Sequence, residues 1–266
     1  MLYSILAIMF KRQKSFYRMK FIKYIVFIAI LCVPFLSHAG QYRLSGSTSV
    51  GLYVSQLMER RPEQFDKDEI SINSVGSGKG LTDLAHGNAD IAMVSTPVDV
   101  MKARLPHLPW HDFKVFALAP TYLAFIVHKD NPVTSLTQTQ ITQILNKEIT
   151  NWAELGGKDQ RIYIITEFRT GGVRSTAEEA LLQGQTIKEP ILKLTAAPQI
   201  VPYTARFENA FGIVTKMMVD ESVVEIKTAA EIVQPLYFIT KKPVSTELLT
   251  LIKSFQSIDT QQGIID

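Results

Sequence analysis

Apolar and polar positions along this chain change period several times, and each change marks an element. Tyr42–Gly46 (YRLSG) reads as a short strand entering a polar turn. In the following SVGLYVSQLMERRPEQF, Tyr53, Val54, Leu57 and Met58 fall at helical spacing. Glu69–Val75 (EISINSV) alternates as a strand, and GLTDLAHG is a short helix closed by Gly87. Ala89–Ser95 (ADIAMVS) is mostly apolar and bounded by turn residues, the pattern of a buried strand. This β-α-β-α-β order predicts a mostly parallel sheet with helices on its faces.

Further on, FKVFALAPTYLAFIVHKDNPV holds two β-rich apolar runs broken at Pro120. In SLTQTQITQILN, Thr137 and Gln140 have the spacing of a capping box, and Ile141, Ile144 and Leu145 form a buried stripe. RIYIIT predicts a strand and GGVRSTAEEALLQ a helix. NAFGIVTK and PLYFITKK predict further strands. VSTELLTLIKSFQ closes the chain as a helix with Leu248, Leu251, Ile252 and Phe255 on one face. The fold class is therefore α/β. Several strand-to-helix turns are rich in Gly, Ser and Thr. Helix N-termini leave amide N–H groups unpaired and partly positive, so several such ends converging would hold an anion without many cationic side chains.

The first 39 residues change the charge argument. Lys20 and Lys23 precede an apolar stretch from Tyr24 to Phe35, and Ser37-His38-Ala39 offers small residues at a cleavage position. This is the pattern of an export signal cut after Ala39. The apolar run is shorter than the ~20 residues of a membrane-spanning helix. Residues 1–18 fit no part of such a signal. The first 39 residues carry six of the 28 Lys and Arg and no acid, so the remainder is slightly acidic, with 22 basic against 25 acidic residues. A general nucleic-acid-binding surface loses its support. The single cysteine, Cys32, lies in the leader without a lipobox. The mature chain thus has no disulfide, thiol nucleophile or cysteine metal site.

Candidate chemistry concentrates in the turns. Ser74–Gly80 (SVGSGKG) invites a phosphate-loop reading, but Asn73 stands where that motif needs glycine and Gly80 where it needs Ser or Thr. It is an anion cradle or a plain glycine-rich turn. Ser45–Val50 (SGSTSV) sets the hydroxyls of Ser45, Ser47, Thr48 and Ser49 at another such turn, where a helix cap uses one. Ser95–Asp99 (STPVD) ends the third strand. Glu167–Leu181 (EFRTGGVRSTAEEAL) opens a helix with Arg169 and Arg174, either of which could grip an oxyanion with its planar fork. His107 and His111 have a zinc-like interval, but Pro109 between them opposes a helix. No Ser-His-Asp set assembles by spacing.

GSTSV, GSGKGLTDLAHGNADIAMVS, DNPVTSLTQTQITQILNKEITNWAELGG, TGGVRST, NAFGIV and PLYFITKKPVSTELLTLIKSFQS occur in an order and spacing that resemble the PstS-like phosphate-binding proteins of ABC importers. The likeness covers nearly all of residues 42–265, with ITNWAELGG its most specific piece. The resemblance implies a type II periplasmic-binding-protein fold, in which two α/β lobes joined by two crossovers close on a ligand. Lobe 1 is expected at 42–118 and 208–266, lobe 2 at 121–203, and the crossovers near 119–122 and 204–207. Thr48, Ser49 and Ser77 match ligand-contacting positions. Gly171, Gly172 and Val173 align with a Ser-Gly-Thr triplet, and Arg174 with the basic residue often found next.

The chain also departs from that pattern. Two hydroxyls of the triplet are absent. Glu167 stands at the family's arginine, with Arg169 two residues later. Thr96 stands at the aspartate that accepts the proton of HPO₄²⁻ and repels sulfate, leaving Asp99 or Glu167 to replace it. The expected oxyanion set is Thr48, Ser49, Ser77, Gly78, Ser95, Thr96, Arg169, Gly171, Gly172 and Arg174, with Lys79 adding charge. The resemblance implies a monomeric periplasmic receptor for inorganic phosphate or a similar oxyanion, delivering to an ABC permease in the inner membrane. It implies no cofactor, no metal and no nucleic acid. Two other readings stand beside it: the same scaffold repurposed as a surface, matrix or signalling protein, and a phosphate-ester hydrolase, which lacks a visible nucleophile-base spacing.

Overall fold

The computed structural model describes residues 40–168, 171–188, 191–194 and 197–259. The leader with its expected cleavage site, and Arg169, lie outside the described residues.

Two mixed sheets organise the chain. The first has the order β2-β1-β3-β11-β4, from strands β1 (Gln41–Gly46), β2 (Glu69–Ser74), β3 (Ile91–Val94), β4 (Phe113–Ala117) and β11 (Tyr237–Lys241). The second has the order β10-β5-β8-β6-β7, with β9 also on β5. Its strands are β5 (Thr121–His128), β6 (Tyr163–Glu167), β7 (Ile191–Leu194), β8 (Ala210–Thr215), β9 (Val223–Glu225) and β10 (Val233–Gln234). Parallel pairing joins β2-β1-β3 and β8-β6-β7. Antiparallel strands complete each sheet: β11 against β3 and β4, and β5 against β8, β9 and β10.

Alternation along the central strands builds a core on both faces. In β5, Leu123, Phe125 and Val127 enter one cluster with Trp152 and Phe211, while Ala124 and Ile126 enter another with Ile200 and Val214. In β3, Ile91 and Met93 pack with Phe238 and Phe255, and Ala92 and Val94 with Leu81 and Met101. A period of two on a strand covered on both faces requires this division. The helices that cover them are α1 (Thr48–Arg60), α2 (Ser77–His86), α3 (Val98–Arg104), α4 (Gln138–Leu145), α5 (Gly172–Leu182), α6 (Ile200–Arg206) and α7 (Thr246–Asp259). The capping box read at Thr137 is formed: its hydroxyl accepts from the Gln140 amide at 3.2 Å, and the Gln140 side chain accepts from the Thr137 amide at 2.9 Å. Thr137→Ala is expected to cost about 1 kcal/mol, the usual worth of an N-cap, as a lower urea midpoint with unchanged slope.

The chain crosses between sheets twice. The first crossing runs from β4 to β5 at Leu118–Pro120. The second does not lie at Thr204–Phe207, which ends helix α6. It runs from β10 to β11 through Pro235 and Leu236. The reason is β8. All six of its residues are buried, so it needs a strand on each side, and it finds β5 and β6 in the second sheet. Strands β9 and β10 then stay in that sheet beside β5. The two crossings run side by side, with the Leu118 amide bonded to the Leu236 carbonyl at 2.9 Å.

Candidate anion-binding site

Four strand-to-helix turns lie at the C-terminal ends of parallel strands: β1 to α1, β2 to α2, β3 to α3, and β6 to α5. Open α/β sheets place ligand sites there. The first three turns interlock. Gly46, at φ +140°, accepts from the amides of Val75 and Gly76 at 2.9 and 2.7 Å. A Cβ at Gly46 would lie 2.1 Å from the Met93 carbonyl oxygen, and one at Gly80 would lie 2.2 Å from the Ser45 carbonyl oxygen. The glycines of both loops therefore let α2 press against the β1-α1 turn. Ser47 caps α1, accepting from the Val50 amide at 3.4 Å, and its hydroxyl bonds that of Ser95 at 2.6 Å. The Ser95 amide donates to the Ser77 hydroxyl at 3.2 Å. Ser47, Ser77, Ser95 and Thr96 are all buried, and the Thr96 hydroxyl has no hydrogen-bond partner among the described residues.

Against this hydroxyl cluster the second lobe sets the first turn of α5. A Cβ at Gly172 would lie 1.7 Å from the Ser95 hydroxyl oxygen, so the α5 backbone touches Ser95 directly. The Thr176 hydroxyl donates to the Ser95 carbonyl at 3.2 Å. From α3, Arg104 donates to the Ser175 hydroxyl and reaches Glu178 Oε2 at 3.3 Å.

The α5 amides carry a carboxylate of the chain itself. Glu167, at the end of β6, accepts from the Val173 amide at 2.6 Å and from the Arg174 amide at 3.4 Å through Oε1. A Cβ at Gly171 would meet the Glu167 side chain at 2.1–2.5 Å, so Glu167 fills the space that a side chain at 171 would take. Gly171 and the inward-turned Glu167 are thus sterically linked in this chain. Burial pushes Glu167 up to about 7, with the two amide hydrogen bonds and the Arg174 charge pulling the other way.

A carboxyl group with a raised pKa in the fold stabilises it fully below its unfolded value and loses that contribution as pH rises through 7. Urea unfolding is therefore expected to show stability falling by about 2–3 kcal/mol from pH 5 to pH 8, and Glu167→Gln is expected to flatten that slope.

The expected set divides on inspection. Ser77, Ser95, Thr96 and Gly172 are brought together. Gly78 lies in the first buried turn of α2. Ser49 is buried, its hydroxyl 3.5 Å from the Gln234 side-chain amide. Thr48 instead lines a cavity of about 450 Å³ beside the turns, with Ser74, Val201, Pro202, Met217 and Met218. Arg174 does not offer a solvent-facing charge. It is 1% exposed and pairs with the fully buried Glu178, Nε to Oε1 at 2.8 Å, while its Nη1 has no partner among the described residues. Lys79 is paired with Asp83 one turn along α2 and is not directed at the cluster. Sequence reading passed over Ser47, whose hydroxyl looked like an ordinary cap. The surplus of hydroxyls in SGSTSV was the signal available. Asp99 pairs with Lys102 at 3.3 Å on the exposed side of α3, which leaves Glu167 as the one of these two acids at the α5 turn, while Asp83 accepts from the Ser45 hydroxyl at 2.8 Å.

A sequence profile described as the PBP superfamily domain matches residues 37–221. The chain belongs to the PBP superfamily. Among the relatives of this PBP chain is the phosphate-binding protein PstS of Bacillus subtilis, 25% identical over 245 residues, covering 85% of the chain and 79% of the relative. Of solved structures, a candidate phosphate ABC transporter substrate-binding protein with bound phosphate from Clostridium perfringens is 26% identical at a TM-score of 0.70, covering 81% of this chain and 92% of that one. An ABC-type phosphate transport receptor from Vibrio cholerae is 26% identical at a TM-score of 0.60, covering 81% and 93%. The two-sheet arrangement with two adjacent crossings is that of the PBP fold, and the interlocked turns lie where its two lobes meet.

Proposed function

We propose that this PBP chain is an exported solute-binding protein that captures inorganic phosphate, or a similar tetrahedral oxyanion, between its lobes and passes it to an ABC permease. One observation carries the reading. Buried hydroxyls from three turns of one lobe meet the amide N-terminus of α5 from the other, and those amides already hold a carboxylate. Preorganised N–H and O–H donors in a water-poor cleft hold anions strongly. The similarity to phosphate-binding relatives supports phosphate as the first ligand to test. The role is binding rather than catalysis: the groups gathered at the turns are mainly N–H and O–H donors, and the Asp83 carboxylate that accepts from the Ser45 hydroxyl at 2.8 Å is itself paired with Lys79. Export to the periplasm through cleavage after Ala39, and action as a monomer, belong to the same reading.

The test is calorimetric titration of the purified protein, stripped of anion, with phosphate and then sulfate. Saturable phosphate binding at one site per chain is expected. A second reading, the repurposed scaffold, is favoured by a single feature, the carboxylate of Glu167 on the α5 amides. Absence of binding to either anion, by the protein and by Glu167→Gln alike, would move the assignment there.

A further inference from the structure

We infer that Glu167 is a resident counter-anion of the α5 donors, which an incoming oxyanion replaces only as the site takes up a proton. The inference rests on the oxyanion reading above and adds a residue and a proton to it. Three observations support it. The Glu167 carboxylate holds the amides of Val173 and Arg174, the donors that the second lobe presents to the cleft. Gly171 has no room for a Cβ while that carboxylate is in place. Beside them, the buried Arg174 Nη1 and Thr96 hydroxyl have no partner among the described residues, so the site has donor capacity beyond what Glu167 uses.

A carboxylate and an oxyanion compete for the same N–H groups and repel each other in a site of low dielectric. Protonation removes both effects: the neutral acid is a weak acceptor, and its O–H can donate to the anion. The charged group facing Glu167 is Arg174 on α5, itself paired with Glu178, which Arg104 of α3 also reaches. From β7, Leu194 stands opposite Glu167, and the loop after β3 brings the uncharged Ser95 and Thr96. Burial outweighs the Arg174 charge and the two amide bonds and pushes Glu167 up to about 7, which places the proton uptake near neutrality.

The consequence is an oxyanion affinity that declines with alkalinity. For a single proton taken up by a group titrating near 7, affinity falls about tenfold from pH 6 to pH 8. Sulfate is the cleaner probe of this slope because it does not titrate in the range. Phosphate serves as the second probe.

The experiment is titration calorimetry of the full protein and of Glu167→Gln with sodium sulfate and with sodium phosphate, at pH 6 and pH 8. Each is run in two buffers of different ionisation heat, which counts protons. The expected result is uptake of about one proton per anion at pH 8 by the natural protein and none by Glu167→Gln. The sulfate affinity of the variant should be about tenfold higher at pH 8 and nearly flat with pH. Binding by the variant alone would support the inference in its strongest form. Binding by the natural protein with no proton uptake, and with the same affinity in Glu167→Gln, would overturn the role of Glu167 and leave the oxyanion receptor standing. The proton count needs no substitution, so a misfolded variant would not obscure the outcome. No binding by either protein at either pH would overturn the oxyanion reading, and this inference with it.

Discussion

Glu178→Ala is expected to lower the stability of the protein by about 3–5 kcal/mol, a fall that urea unfolding followed by circular dichroism would register as a large drop in midpoint. Glu178 is fully buried in α5 and anchors three donors at once. Arg174 Nε lies 2.8 Å from Oε1, the Ile187 amide 3.2 Å from the same oxygen, and Arg104 Nη2 3.3 Å from Oε2. Removing the carboxylate leaves the Arg174 guanidinium, 1% exposed, without its bonded counter-charge and with only the more distant Glu167 to offset it, and leaves the Ile187 amide without its acceptor. An uncompensated buried charge is the costly outcome, far more so than the loss of the ion pair's own attraction. Glu178→Gln keeps one acceptor oxygen, which can serve Arg174 Nε and the Ile187 amide but not Arg104 as well, and is expected to lose less than Glu178→Ala. Pairing Glu178→Leu with Arg174→Met removes both charges and should recover much of the loss, because apolar replacement of a whole buried pair is often close to neutral. A single-variant loss below about 1 kcal/mol would mean that Arg174 reaches solvent, against the burial described here.

The elements that could be read from sequence are those whose burial is one-sided and regular. Helix α1 shows Tyr53, Val54 and Leu57 on one stripe, and α4 has both a stripe and a capping box. Helix α3 buries Met101 alone, so it has no stripe to read. Helix α6 contains Pro202, which looks like a breaker. It sits in the first turn, where its missing N–H would have no partner in any case. Strand β7 is four residues long and could not be told from a loop. The second crossing was misplaced because NAFGIV shows that β8 is buried without showing between which strands.

The turns of the site were legible as local chemistry: glycine for close approach, hydroxyls at strand ends, a helix opening at Gly172. Their wiring was not. Spacing cannot show that Ser47 reaches Ser95 across 48 positions, nor that Glu167 turns back onto the amides of its own following helix. Arg174 reads as a charge offered to a ligand. Only the packing of α5 reveals that its charge is committed to Glu178.

Gly172→Ala is expected to reduce oxyanion affinity by roughly 5- to 150-fold, the equivalent of about 1–3 kcal/mol of overpacking at a tight contact. The added methyl would lie 1.7 Å from the Ser95 hydroxyl oxygen, 2.9 Å from its Cβ and 3.1 Å from its carbonyl carbon. Rotation of the serine hydroxyl relieves the first clash but not the other two, since Cβ and the backbone are held by β3. Ser95 is further tied to Ser47 at 2.6 Å and to Ser77 at 3.2 Å, so it cannot retreat alone. The strain must instead push α5 away from the hydroxyl cluster, and so separate the two halves of the donor set. The contact itself is polar and lies beside rather than within the apolar clusters that hold Val94 and Val173, so the urea midpoint is expected to change less than the affinity does. Gly171→Ala makes the informative comparison. Its methyl meets the Glu167 side chain first, at 2.1–2.5 Å, and should displace that carboxylate from the α5 amides rather than part the lobes. Calorimetry of both variants against phosphate separates the two effects. Weakened binding in Gly172→Ala with retained or tighter binding in Gly171→Ala is the expected pattern. Natural affinity in Gly172→Ala would show that the oxyanion is held without the contact between α5 and Ser95, and would remove that contact from the site.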